Sequence, residues 1–390
     1  MAIVAGAALL AAASLETTSS SQVLRPLDKT ALRKIVESTA KELMVPGAVV
    51  ILRTPIGDFS TTFGTTTFGG AVPVSADQHI RVGSNTKTWV GTVILQQVQE
   101  GLLKLDDPVS KFRSDVPNGN NITITHLLNM RSGLFNYSET PELNQILDRE
   151  PLKVWTPNQL LALAFKHPPY FAPGAGFHYS NTNTVLLGLI AEKLEGGKPL
   201  ARILQDRLFI PLRLKNTVFP DITSNAIPEP HPRGYMYGDN MLTMGSPPAL
   251  PAAMQAAARA RTLKPNDYTD ANPSWGWAAG AGISSANDLV TWVRALVSGQ
   301  LLNTEMQKKR LASVQSTNPD TAQYGLGIAK FGGKLYGHTG ELPGFNSFMG
   351  HDPDNGVTLV VWTNLAPSVD GRDPASEIAK SLIGQIYAKK

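Results

Sequence analysis

Apolar positions along this chain change their period more than once, and the changes divide it. Between residues 28 and 43 they fall at helical spacing, after which Pro46-Gly47-Ala48-Val49-Val50-Ile51-Leu52 is a nearly unbroken apolar run of strand length. Residues 59–68, rich in Thr and Phe, read as its hairpin partner, and His79-Ile80-Arg81-Val82-Gly83 as a short strand and a glycine turn. From residue 84 to about 214 the pattern is helical: 84–101, 124–131, 157–166, 180–194 and 199–208 each show apolar periodicity between Pro or Gly breakers. Residues 220–275 are rich in Pro, Asn, Asp, Gly and Tyr and predict long loops bordering a cleft, with one Ala-rich piece near 252–260. Ser284 or Ser285 then caps a helix, with Asp288 at capping-box distance from Ser285 and Leu289, Trp292, Val293 and Leu296 on one face. Segments 324–329, 334–339, 345–351 and 357–364, separated by turn signals, predict successive antiparallel strands, and 375–387 a closing helix.

Strands near both ends with a helical block between them imply one composite antiparallel sheet flanked by helices, an α/β (α+β) architecture, with an all-helical lobe inserted between its halves. The expected division is an Ala-rich leader at 1–25, a sheet unit from 26–83 and 276–390, and a mainly helical lobe with cleft-bordering loops at 84–275. At 390 residues and 42% hydrophobic composition, the chain is long enough for one large core or two lobes around a cleft. Its formal charge of +4 is not gathered into a basic stripe with interleaved aromatics, which argues against a nucleic-acid partner. Residues 2–14 resemble the apolar region of an export signal without its positive flank, and predict an exported protein of the periplasm, cell wall or medium. No stretch reaches the roughly 20 apolar residues of a membrane span. With no cysteine there is no disulfide and no cysteine-linked lipid anchor.

Candidate chemistry centres on Ser84-Asn85-Thr86-Lys87. A hydroxyl and an amine three residues apart share one helical face, and a lysine held out of water is a base able to activate a serine. A helix N-terminus at Ser84 would add backbone NH groups and a favourable dipole for a developing oxyanion. A second S-x-x-K at Ser38–Lys41 lies in an amphipathic polar segment and reads as solvated helix surface. Tyr179-Ser180-Asn181 opens a later helix, and His338-Thr339-Gly340 ends a predicted strand, where Gly340 would let a substrate backbone approach closely. In isolation the former reads as an ordinary cap and His338 as a satisfied sheet histidine. The remaining histidines show no ligand spacing, so neither metal nor cofactor is expected. The absence of a G-x-S-x-G elbow and of a phosphate-binding loop disfavours an α/β-hydrolase or nucleotide enzyme.

S-x-x-K, Y-S-N and H-T-G in that order resemble the serine DD-peptidase and class C β-lactamase family. The stretches LLNMRSGL, GLLKLDDP, WAAGAGISSANDL and YGLG are similar to family segments, so the likeness runs from about residue 28 to 388. The resemblance implies Ser84 as nucleophile, Lys87 and Tyr179 sharing its proton, and an oxyanion hole from the backbone NH groups of Ser84 and Glu341. It also implies Asn181 holding Lys87 and the substrate amide, with His338 in place of the lysine usual in β-lactamases. Thr339, Gly340, Glu341 and Trp277 would contact substrate. The expected activity is a penicillin-reactive D-alanyl-D-alanine carboxypeptidase; the alternative is an esterase, D-amino-acid amidase or β-lactamase on the same scaffold, acting on a small molecule or short peptide. A non-catalytic binding protein is a third reading, and oligomeric state is left open. Glu341 stands where many relatives carry Ser or Thr, and an ionised carboxylate there would repel the substrate carboxylate of a carboxypeptidase or β-lactamase. Arg131, Lys330 and Arg233 are the cations available to offset it.

Overall fold

Strand β1 (Gly47–Thr54) is covered on both faces, which is why its sequence is an apolar run and not an alternation. Val49 and Ile51 join one core, Val50 and Leu52 another. A computed structural model of the chain describes residues 23–245, 248–317 and 322–388, so the leader expected at 1–25 lies almost wholly outside the described residues. β1 pairs with β2 (Gly57–Gly64) and, across the length of the chain, with β12 (Val357–Thr363), Ala48 lying opposite Thr363. The sheet continues through β11 (Phe345–Asp352), β10 (Leu335–Leu342), β9 (Ala329–Phe331), β8 (Ala322–Tyr324) and β7 (Gln315–Ser316), eight antiparallel strands in the order 2-1-12-11-10-9-8-7. The composite sheet is as expected, with one correction. Residues 324–329 are not a strand, because Gly325 to Ile328 turn sharply between β8 and β9, Gly325 donating its NH to the Ile328 carbonyl.

Two helices cover one face: α1 (Lys29–Glu42), capped by Asp28, and α13 (Pro374–Ile386), through Leu32, Val36, Ile378 and Leu382. Ser38 and Lys41 are exposed on α1. The other face meets α11 (Ala286–Ser298), through Leu289, Trp292, Val293 and Leu296. Ser285 Oγ accepts the Asp288 NH as its N-cap, but the expected reciprocal box does not form. The Asp288 carboxylate accepts instead from Asn216 N and Thr217 Oγ1, both 2.8 Å away. That core runs on into the helical lobe, built around α2 (Thr86–Gln99) with α3 (Ile124–Leu128), α4 (Pro141–Arg149), α5 (Pro157–Phe165), α6 (Asn181–Leu194), α7 (Leu200–Leu204) and α8 (Ile210–Leu212). Two short antiparallel pairs and two further helices complete the path: β3 (Ile80–Arg81) with β6 (Ile283–Ser284), β4 (Tyr235–Met236) with β5 (Asn266–Asp267), α9 (Ala252–Arg259) and α10 (Trp277–Gly280). Helix α12 (Thr304–Ala312) follows α11.

Helix α2 is enclosed nearly all round, with every residue from Thr86 to Leu95 buried. Burying Trp89, Val90, Val93, Ile94 and Leu95 stabilises it by about 1.5–3 kcal/mol per side chain. Its threonines return their hydroxyls to the helix, Thr88 Oγ1 to the Asn85 carbonyl and Thr92 Oγ1 to the Thr88 carbonyl, each at 2.7 Å. The only basic residue of the helix, Lys87, is carried into the interior with the rest.

Candidate active site

Gly83 to Asn85 form a 3-10 turn that leads into α2, and Ser84 sits at its centre, partly open to the cleft. Gly83 adopts φ +54°, and a side chain there would have its Cβ 2.4 Å from Glu341 N. The turn is pinned to the sheet by the buried Asn85, whose amide donates to Ser347 Oγ at 2.8 Å and to the Val82 carbonyl at 3.1 Å. The segment 82–84 therefore lies directly against β10.

Lys87 Nζ has three neighbours: Ser84 Oγ at 2.9 Å, Asn181 Oδ1 at 2.6 Å and the Ala279 carbonyl oxygen at 2.7 Å. The side chain is 1% exposed, and burial holds its pKa well below the ordinary lysine value. Among the described residues no carboxylate touches it. A neutral amine has two hydrogens, and the carbonyl oxygens of Asn181 and Ala279 can only accept, so both are used there. Its lone pair is left facing Ser84 Oγ, which is the geometry of a general base.

Asn181 is the first residue of α6, and its backbone NH is received by Asn136 Oδ1 at 3.0 Å. Its amide nitrogen donates to Ser138 Oγ at 2.9 Å, which fixes which end of the amide meets Lys87. Tyr179 lies with its ring centroid 4.7 Å from Lys87 Nζ. Its hydroxyl is sheltered from solvent and makes no complete hydrogen bond; burial pushes its pKa up while the approach of Ser84 draws it down. A hydroxyl left without a partner here is free to donate to a group bound beside Ser84.

His338 is buried on β10, and both of its ring nitrogens are engaged. Nδ1 lies 2.6 Å from the Thr339 carbonyl oxygen, an acceptor, so that nitrogen carries the hydrogen; Nε2 then accepts from the Tyr324 hydroxyl at 3.0 Å. Burial, and then the nearby Lys87, lower its pKa to about 3, so the imidazole is neutral. Its expected place in a catalytic set narrows accordingly: it presents no free nitrogen to the cleft and shapes the wall behind Tyr179, 6.1 Å between ring centroids.

A cavity of about 280 Å³ opens beside this group. Ser138, Glu139, Asn181 and Glu341 line its polar side. Met236, Met244, Trp275 and Leu342 line the apolar one. Of the expected substrate contacts, Glu341 is open to the cavity and Thr339 is half-buried, whereas Gly340 and Trp277 are placed otherwise. Gly340 is approached by the chain itself and not by a ligand, since a Cβ there would lie 1.9 Å from the Val82 carbonyl oxygen. Trp277 is 5% exposed in the core, its ring packed over Gly188, and Trp275 takes the wall position because its ring stays partly open. No lysine or arginine lines the cavity among the described residues. Arg131 reaches the Ser316 carbonyl, Lys330 lies over the Tyr336 ring, and Arg233 is paired with Asp267 and Asp270.

Sequence reasoning missed Ser138, Asn136 and Ala279. Ala279 acts through its carbonyl, which leaves no side-chain signal, and Ser138 stands in Tyr137-Ser138-Glu139 without a recognisable spacing.

The chain matches the family described as Beta-lactamase over residues 32–382. Among solved structures it is similar to the D-stereospecific amidohydrolase from a Streptomyces species, at 32% identity and a TM-score of 0.76, covering 91% of this chain and 98% of that one. It is also similar to the D-amino acid amidase from Ochrobactrum anthropi SV3 complexed with L-phenylalanine, at 25% identity and a TM-score of 0.76, again covering 91% and 98%. Among curated relatives, penicillin-binding protein 4* of Bacillus subtilis (strain 168) is 24% identical over 325 residues, 81% of this chain and 67% of that protein. For the putative penicillin-binding protein PbpX of the same strain the figures are 26% over 286 residues, 73% of this chain and 61% of that protein, so the chain spans about two thirds of the length of these relatives. Motif order, antiparallel sheet with inserted helical lobe, and these likenesses converge: the chain belongs to the beta-lactamase family and is a serine hydrolase of the β-lactamase and penicillin-binding-protein type.

Proposed function

We propose that this protein hydrolyses amides of small amino-acid derivatives through an acyl-enzyme at Ser84, the amidase alternative and not the carboxypeptidase one. The observation that carries this reading is the cavity lining, which holds Glu139 and Glu341 and, among the described residues, no lysine or arginine. A carboxypeptidase must hold the terminal carboxylate of its peptide, and here that group would meet acids. The cavity of about 280 Å³ suits one amino-acid residue better than an extended peptide, and Met236, Met244 and Trp275 suit an apolar side chain. The D-stereospecific amidohydrolase and D-amino acid amidase among its structural neighbours support an amide of the D series.

In this reading Ser84 Oγ attacks the amide carbonyl as its proton passes to the Lys87 lone pair. The backbone NH groups of Ser84 and Glu341 receive the oxyanion. The Tyr179 hydroxyl, orphaned in the resting site, gives its proton to the departing amine and is reprotonated from Lys87; water then repeats the cycle on the ester. Parallel assays on a D-amino-acid amide, a D-Ala-D-Ala tripeptide, a short aryl ester and a chromogenic cephalosporin test it, with Ser84→Ala as control. Turnover of the amide that is abolished in the control supports the reading; turnover of the tripeptide alone overturns it.

A further inference from the structure

Asp148 stands in the last turn of α4, at the end where the helix dipole disfavours an anion. Three donors offset that cost. Its Oδ1 receives the Asn240 NH at 2.8 Å and the Asn240 side-chain amide at 2.7 Å, and its Oδ2 receives the Met241 NH at 3.0 Å. One carboxylate thus takes two successive backbone amides and a side-chain amide from a turn 92 residues further along the chain. Hydrogen bonds to an ionised acceptor are about twice as strong as those between neutral groups.

Residues 239–244 have little else to hold them. Within the turn Leu242 donates its NH to Asp239 Oδ1 at 2.8 Å, and Thr243 donates its NH to the Asn240 carbonyl at 3.2 Å. Among the described residues, every hydrogen bond that leaves the turn goes to Asp148. Packing does not replace it: Met241 and Leu242 are 37% and 38% exposed, and neither they nor Met244 joins a hydrophobic core. Yet Asn240, Thr243 and Met244 line the cavity beside Ser84. The strand β4, from which the turn departs, is fixed to the sheet, the Tyr235 carbonyl receiving the Ala366 NH at 3.1 Å. One turn before Asp148 on α4, Asn144 donates to the Ser138 carbonyl at 2.9 Å, and Ser138 in turn orients Asn181. Asp148 therefore ties a wall carried by the sheet to the helical lobe that carries the catalytic amide.

We propose that Asp148 is a positioning residue for side-chain selectivity: it clamps the 239–244 turn so that Met244 closes the apolar end of the cavity around the substrate side chain. The proposal rests on the amidase reading, in which that end of the cavity receives the side chain of the amino-acid amide. Asp148 does not line the cavity and acts through the turn. Met236, Trp275 and Leu342 belong to β4, the 3-10 turn Pro273–Trp275 and β10, whereas Met244 has only the clamped turn to place it. Amides whose side chain reaches Met244 gain from the clamp. Those whose side chain ends at a methyl group do not.

The test measures kcat and KM for D-phenylalaninamide and D-alaninamide on the wild type, Asp148→Ala, Asp148→Asn, Met244→Ala and the double variant Asp148→Ala with Met244→Ala. Asp148→Ala is expected to lower the phenylalaninamide-to-alaninamide ratio of kcat/KM by about tenfold, the lower end of what one methylene is worth in an apolar pocket, through KM and not kcat. Asp148→Asn should fall between, since its carbonyl oxygen can still receive Asn240 while its NH2 faces the Met241 NH. Met244→Ala should lower the ratio by a similar factor, and the double variant by no more than either change alone, as holds when one residue acts through the other. An Asp148 that only stabilised the fold would lower the thermal midpoint and leave the ratio where it was. An unchanged ratio, a loss confined to kcat, or additive effects of the two substitutions overturns the clamp and leaves the amidase reading standing. Turnover of neither amide by the wild type rejects both. Should Asp148→Ala fail to fold, Asp148→Asn takes its place in the cycle with Met244→Ala.

Discussion

Lys87 Nζ and Asn181 Oδ1 are 2.6 Å apart, and this contact joins the start of α6 to the first turn of α2 beside Ser84. Asn181 removes one hydrogen of the amine from the direction of Ser84, and it is itself oriented by Ser138. Asn181→Ala frees that hydrogen to turn toward Ser84. We expect kcat to fall by about tenfold to a hundredfold with the fold intact, measured on any substrate that the wild type turns over.

Lys87→Met tests the base and the cost of burying it together. Turnover should fall by about 10²–10⁴-fold. Stability should move the other way. Between its lowered folded value and the ordinary lysine value the unfolded chain holds a proton that the folded chain lacks, so the native lysine subtracts stability throughout that window. Methionine of similar length removes the penalty, and the thermal midpoint at neutral pH should rise by a few degrees.

His338 sets a second pH dependence. Its folded value is depressed to about 3, so its contribution is complete above the ordinary histidine value and is lost as pH falls toward 3. His351, lowered to about 4 mainly by burial, adds to the same slope. Denaturant midpoints at pH 7 and pH 5 should differ less in His338→Asn than in the wild type, with the residue of the slope left to His351.

Trp275→Ala and Trp277→Ala should separate cleanly. The first removes a cavity wall and should raise KM with little change in the denaturation midpoint. The second empties a core site over Gly188 and should cost about 3–5 kcal/mol of stability.

Gly340→Ala would drive a methyl to 1.9 Å from the Val82 carbonyl oxygen and 2.7 Å from Ser347 Oγ. Backbone must move, and the 3-10 turn moves with it. Loss of at least about 2 kcal/mol in stability and a matching loss of reaction with a serine-directed phosphonate are expected.

That Ser84, Lys87, Tyr179 and Asn181 come together was readable because two of the pairs keep fixed local spacings, Ser84 with Lys87 and Tyr179 with Asn181. The doubly covered strands were readable for the same kind of reason, as Val49 to Leu52 show. What escaped depended on distant backbone. The Ala279 carbonyl at Lys87, the Asn346 amide that reaches both Glu341 and Asp373, and the choice of Trp275 over Trp277 are decided by where separate segments meet. Gly340 shows the difference well: its need for a bare α-carbon was legible, but the neighbour that imposes it, Val82, was not. The helices α4 and α12 leave little periodic signal because their apolar faces are narrow, with only Leu143 and Leu147 buried in the first and only Gln307 and Arg310 in the second.

The pairing of Ala48 with Thr363 has a temporal consequence. On a ribosome, β1 emerges roughly 315 residues ahead of the strand that must lie beside it, an interval of about 15–60 s at ordinary elongation rates. The β10 and β11 segments that brace the turn at Ser84 likewise follow the helical lobe in chain order. A nascent chain can therefore gather its lobe of helices early, yet the turn at Ser84 is braced only after the strands that hold it have emerged.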